Sequence, residues 1–254
     1  MRYALVFGLV VLLSMPLITA AQTQPLAFEV ASIKRHVGAN EGVGISISGS
    51  RFTATNNSVL SLITYAYNVR FYQVTGGPTW ASDYASWGWD IMAKAEGDDV
   101  LPTEEARQML QRLFANRFQL MIHREMKEMP VYALEVAKKD QNNSGGKSLK
   151  ESAPDATFSM RVGFNQGGQI TATKSSMERL ANQLSGGLER PVLDHTGLSG
   201  DYDFKLEWSS SNAANPDAPT IFTALQEQLG LKLESIKAPI EVVVIDSVSK
   251  PSEN

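Results

Sequence analysis

Polar and apolar positions along this chain fall into the same order twice. In the first half, PLAFEVASIKRH alternates as a strand does, and GISISGSRFTAT follows as a hairpin turning at Ser48-Gly49-Ser50. With Ser58 as cap, Val59, Leu62, Ile63 and Ala66 then stand at the i, i+3, i+4, i+7 spacing of one buried helical face. In the second half, SMRVGFNQGGQITAT predicts two strands joined at Gln166-Gly167-Gly168. Met177, Leu180, Ala181 and Leu184 repeat the helical stripe behind a capping-box pattern of Ser175 with Glu178. TATNNSVLSL (53–62) and TATKSSMERL (171–180) carry the likeness almost letter by letter.

The order stays parallel downstream. WDIMAKA (89–95) and YDFKLEW (202–208) both alternate as strands. PTEEARQMLQRLF predicts a helix capped by Thr103, with Glu104 and Glu105 in the first turn, where the helix dipole favours anions. PTIFTALQEQLGL predicts a second, with Pro219 at its first position. Each is followed by an alternating segment and then a Pro-led strand: RFQLMIH before PVYALEV, and LKLES before PIEVVVIDSV. The expected fold is α+β: two tandem β-β-α-β-α-β-β repeats, helices packed on mainly antiparallel sheet. The first repeat is placed at 22–140, a polar linker at 141–156 and the second repeat at 157–254. A further polar loop, SSSNAANPDAP, interrupts the later half.

The amino terminus changes where such a scaffold would work. Arg2, an apolar run from Tyr3 to about Leu17 and small residues ending at Ala20 and Ala21 have the pattern of a secretory signal peptide over 1–21. The expected localisation is periplasmic or secreted, cleavage following Ala21, with no stable membrane anchor afterwards. The chain has no cysteine, so disulfides and thiolate metal sites are excluded. A net charge of −4 without a basic block argues against nucleic acid as a partner.

Candidate chemistry is sparse. The sequence has no G-x-S-x-G elbow, H-E-x-x-H, P-loop, dinucleotide glycine fingerprint or EF-hand loop. His36, His123 and His195 lie far apart in sequence, and no metal or cofactor is expected. Asp194-His195-Thr196 is an unpromising triad, because neighbours on extended chain point to opposite sides. Asp201 and Asp203 open a strand beside a Gly turn. The unusual stretch is GGPTWASDYASWGWD (76–90), with three of the four tryptophans. Trp80, Asp83, Tyr84 and Trp87 are the candidate ligand-binding residues, an aromatic platform with polar edges for a sugar ring or peptide. The structural alternative has Trp80, Tyr84 and Trp89 plugging the edge of a small core, Trp89 being matched by Tyr202.

FEVASIKRH, GSRFTATNNSVLSLITYAYNV, VTGGPTW, MLQRLFANRFQLMIHREMKEMPVYALEVAKK and LDHTGLSGDYDFKLEW, in this order, resemble the soil-associated family of exported bacterial proteins, a domain of unknown function. The resemblance runs from about Phe28 to Lys250. Related domains fused behind membrane peptidases of the antibiotic-sensor type imply a sensing or interaction role outside the cytoplasm. The family carries no catalytic residues to transfer. A fainter likeness links each half to the short amino-terminal domain of secretins and TonB-type receptors, an analogy of architecture only. The expected function is a non-enzymatic binding or interaction module for a partner protein or a small-molecule or glycan ligand. The alternative is an extracellular hydrolase of cell-wall or polysaccharide substrate using Asp83 and Asp90.

Overall fold

The computed structural model describes residues 26–38, 42–137, 148–163, 168–209 and 219–251. The signal segment, the turn residues 166 and 167, the front of the linker and most of the late polar loop lie outside the described residues. Strands β1 (Val30–Arg35), β2 (Gly44–Ser48) and β3 (Arg51–Asn57) precede helix α1 (Val59–Tyr67). Then come β4 (Val74–Gly76), the short α2 (Tyr84–Trp87), β5 (Trp89–Lys94), α3 (Thr103–Arg117) and the long β6 (Met121–Val136). The second half runs β7 (Lys150–Glu151), β8 (Ser159–Gly163), β9 (Gly168–Ser175), α4 (Met177–Gly187), β10 (Val192–Asp194) and β11 (Tyr202–Trp208). It closes with α5 (Ile221–Ala224), a π-helical turn over Leu225–Leu229, and β12 (Leu231–Ser247).

The fold is α+β, and among the described residues it is built on three four-stranded sheets. Two are wholly antiparallel, ordered β1-β5-β3-β2 and β7-β11-β9-β8. The third is ordered β10-β6-β12-β4: an antiparallel central pair flanked by one parallel strand on each side. It takes strands from both halves of the chain. β4 pairs with β12, through Val74 opposite Val243, and β10 pairs with β6, through Val192 opposite Tyr132.

Two buried clusters sit at opposite ends of the β6–β12 pair and define two lobes. In the first, α1 lays Val59, Leu62, Ile63 and Ala66 against Phe52, Ala54 and Ile91. Phe118 meets Trp89 and Phe114 edge-on, with centroids 5.7 and 5.6 Å away. In the second, Met177, Leu180, Ala181 and Leu184 of α4 pack with Ile170, Phe204 and Leu206. Ile122 and Ile245 belong to the first cluster, Leu134 and Leu231 to the second, so both central strands serve both cores.

The β6 and β12 strands differ from expectation. Each was predicted as two strands broken before a proline, yet each runs unbroken through Pro130 or Pro239. Tyr132 donates its N–H outward to Pro191, and Leu134 accepts from His195, so even positions of β6 face away from β12. Pro130 shares that parity. On β12 the Glu241 carbonyl faces outward to Gln73, and Pro239 shares its parity. Pro130 opposes Lys237 and Pro239 opposes Glu128 with neither ring nitrogen turned into the ladder, so no hydrogen bond is lost. Both prolines blunt open edges beyond the reach of β10 and β4.

Local caps refine the boundaries. Ser58 caps α1 as expected, its Oγ accepting from the Ser61 N–H at 3.1 Å. In the second half the cap is Ser176 rather than Ser175, which is buried at the end of β9. Thr103 and Pro219 shift likewise: α3 starts at Thr103 after an extended Pro102, and Thr220 caps α5. Inside the stretch assigned as linker, Leu149 is buried and β7 adds an edge strand to β11. Backbone bonds from Ser148 to Gln228 and from Ser152 to Asp201 hold that segment back beside the buried leucine. The first position of β9 has to be glycine, because a Cβ on Gly168 would lie 1.9 Å from the Trp208 ring.

Candidate functional site

Four of the carboxylates singled out from sequence, Asp83, Asp90, Asp194 and Asp203, hold backbone in place. β3 slips register against β5 between Ala54 and Asn57, and the intervening Asn56 has φ 50°. Its N–H donates to Asp90 Oδ1 at 2.9 Å. The β9–β11 pair slips at the same place, with Lys174 at φ 52° and its N–H donating to Asp203 Oδ1 at 3.0 Å. A left-handed residue in a bulge leaves the ladder, and the carboxylate across the strand supplies the missing acceptor. Asp90 also takes the Nδ1 side of His36 at 2.9 Å, and Asp203 takes the Ser152 hydroxyl. The Ser152 hydroxyl and the Lys174 N–H hold the Asp203 carboxyl below its ordinary value.

Asp83, Asp194 and His123 are separately engaged. Asp83 caps α2, accepting from the Ser86 N–H at 3.0 Å, and this bond holds its carboxyl below the usual value. Asp194 accepts both the N–H and the hydroxyl of Thr196, and Thr196 Oγ1 accepts from Leu198, so Asp194-His195-Thr196 is a turn. His123 faces Asp246 at 2.8 Å. Among the described residues no three His, Cys, Asp or Glu side chains gather as a metal site, and no helix is long and apolar enough to cross a membrane.

The tryptophan-rich stretch divides. Trp89 is buried in the first core, and Tyr202 is buried at the matching place in the second, as a shared packing position requires. Trp80 and Trp87 are half-buried, and cations cover their faces. Lys250 Nζ stands 3.1 Å from the Trp87 ring centroid and 5.4 Å from that of Trp80. The Arg35 guanidinium lies 4.6 Å from Trp87 while donating to the Ser86 carbonyl. Tyr84 opens α2, whose amino end Asp83 caps.

A cleft of about 750 Å³ opens where the chain enters β1, between the β5–α3 connection and α3. Phe28, Leu101 and Met109 supply apolar walls, and the carboxylates of Glu29, Glu96, Asp99 and Glu105 surround them with no basic residue in the lining. Leu101 and Met109 also belong to a small buried cluster with Ala95 and Ala106, which fixes the floor. Sequence reasoning missed this site, because the helix dipole already accounts for Glu104 and Glu105. The available signal is the acidic turn Glu96-Gly97-Asp98-Asp99 shortly before them. Asp98 is tied back to Lys94 at 3.3 Å.

Comparison with curated proteins and with solved structures finds no match. Residues 60–248 match the family described as protein of unknown function, DUF3738. That span runs from the start of α1 through β12, including the crossed central sheet and the bulge at Lys174 but not the one at Asn56, and the chain belongs to this family.

Proposed function

We propose that this chain is an exported, non-enzymatic binding module, in keeping with its resemblance to soil-associated exported proteins. In this proposal the β1–α3 cleft receives a cationic, partly apolar segment of a partner protein in the periplasm or outside the cell. The carrying observation is the lining: four carboxylates around apolar walls in a cleft of about 750 Å³. Apolar walls take up the stem of a lysine, arginine or leucine side chain, and the carboxylates meet the charge. Export rests on Arg2, the apolar run behind it and the small residues ending at Ala21.

The test is fluorescence anisotropy of a labelled peptide of alternating lysine and leucine titrated with the chain from Gln22 onward. Binding is expected, weakening as salt rises. Three exposed charge pairs at roughly 0.5 kcal/mol each make the E96Q/D99N/E105Q variant about tenfold weaker. Equal affinity of variant and wild type, or equal binding of a glutamate–leucine peptide, refutes the assignment of this cleft.

A further inference from the structure

Independently of the acidic cleft, the tryptophan loop already holds a cation. The Lys250 ammonium lies against Trp87 and Trp80, and among the described residues it forms no ion pair, so the protein groups described as meeting its charge are the two indole faces. The backbone beneath is fixed by other means. Ser249 donates its N–H to the Phe118 carbonyl at 2.7 Å, Val248 packs on the first core, and Pro251 is buried. Lys250 itself is exposed, so its side chain can swing into water without moving that backbone.

An indole face attracts any cation through its quadrupole. Selection comes from what the cation gives up. A primary ammonium carries three donors that π-faces do not satisfy as water does, and it is strongly hydrated. A quaternary ammonium has no N–H donor and a methyl surface that packs on indole. Lysine is therefore a weak occupant of a place better suited to an alkylated amine.

We propose that Trp80 and Trp87 form a receptor for a quaternary ammonium group, filled in the resting chain by Lys250, which leaves when the ligand enters. Arg35 on Trp87 and the Asp83 cap of α2 are positioning residues: they hold the loop that carries Trp87.

The test titrates choline into wild type and into Lys250→Met, which keeps the unbranched stem without the charge, following tryptophan emission and calorimetric heat. The variant is expected to bind choline about tenfold more tightly than wild type, with W87A added to K250M abolishing the gain. The neutral carbon isostere of choline, with a tert-butyl group in place of trimethylammonium, is expected not to bind. Phosphatidylcholine vesicles offered in parallel separate the source. Co-sedimentation that K250M strengthens and W87A removes assigns the group to a lipid headgroup, and binding of free choline alone assigns it to a soluble amine. Equal affinity of K250M and wild type with circular dichroism unchanged overturns the proposal and leaves Lys250 as a pin for the carboxyl end. Equal binding of the neutral isostere overturns it too. If K250M unfolds, the wild-type comparison of choline with its isostere decides the same question.

Discussion

Leu180→Ala removes a fully buried side chain from the stripe that α4 lays on the second core. A buried leucine cut to alanine costs about 3 kcal/mol, transfer and residual cavity together. Divided by a urea slope of about 3 kcal/mol per molar, the upper end for a domain-sized chain, the unfolding midpoint falls by about 1 M. The informative point is where that loss is felt. Trp80, Trp87 and Trp89 all belong to the first lobe, so in a Trp208→Phe background emission reports on that lobe alone, while far-UV circular dichroism reports on both. β6 carries Ile122 into the first core and Leu134 into the second, and β12 carries Ile245 and Leu231 likewise. Their ladder is continuous from Leu231 opposite Val136 to Ile245 opposite Ile122. Loss of packing in the second lobe should therefore lower the emission midpoint as far as the dichroism midpoint, in one transition. Dichroism that splits into two steps, with emission at its original midpoint, would show lobes that melt independently and refute the coupling.

Ser185 is buried in α4, donating to the Ala181 carbonyl and accepting the Val192 N–H, each at 2.8 Å. Ser185→Ala leaves the start of β10 with an unsatisfied donor, a loss of about 1–3 kcal/mol in urea or thermal unfolding. The same substitution should move the Tyr72 phenol further up in an absorbance titration, because burial raises it and the Ser185 hydroxyl now partly offsets that rise. Asp203 has its carboxyl lowered by Ser152 and the Lys174 N–H, so its contribution is present above the ordinary aspartate value of about 3.9. It disappears as pH falls through the lower folded value. Urea midpoints of wild type and D203N should differ by a constant amount above about pH 5 and converge below about pH 4, whereas parallel curves throughout would rule out this linkage.

The helical stripes were legible because their spacing alone decides which face is buried. The same eight residues, Val59, Leu62, Ile63 and Ala66 with Met177, Leu180, Ala181 and Leu184, are the buried apolar set on α1 and α4. The central strands were not, because proline stops a strand only when its nitrogen faces a partner, and that parity depends on long-range pairing. Asp90 read as candidate chemistry, and Asp203 as no more than the opening of a strand, for a related reason. Their acceptors are needed by Asn56 and Lys174, residues whose left-handed backbone appears only once the register slips. The cleft was hidden because Glu29 and Glu96 come together through pairing of β1 with β5, which no local pattern reports. Trp80 and Trp87 were found by composition, while their cationic occupant comes from the far end of the chain.

The crossing of β4 onto β12 also sets a timetable. Val74 meets Val243 across about 170 residues of intervening chain, among the costliest kinds of contact to close. A polypeptide emerging amino end first can build the β1-β5-β3-β2 sheet early. The Val242, Val243 and Ile245 side chains arrive only with the last stretch of synthesis. Until then the first lobe waits with an uncovered apolar side, and a product cut short before β12 would leave neither lobe finished.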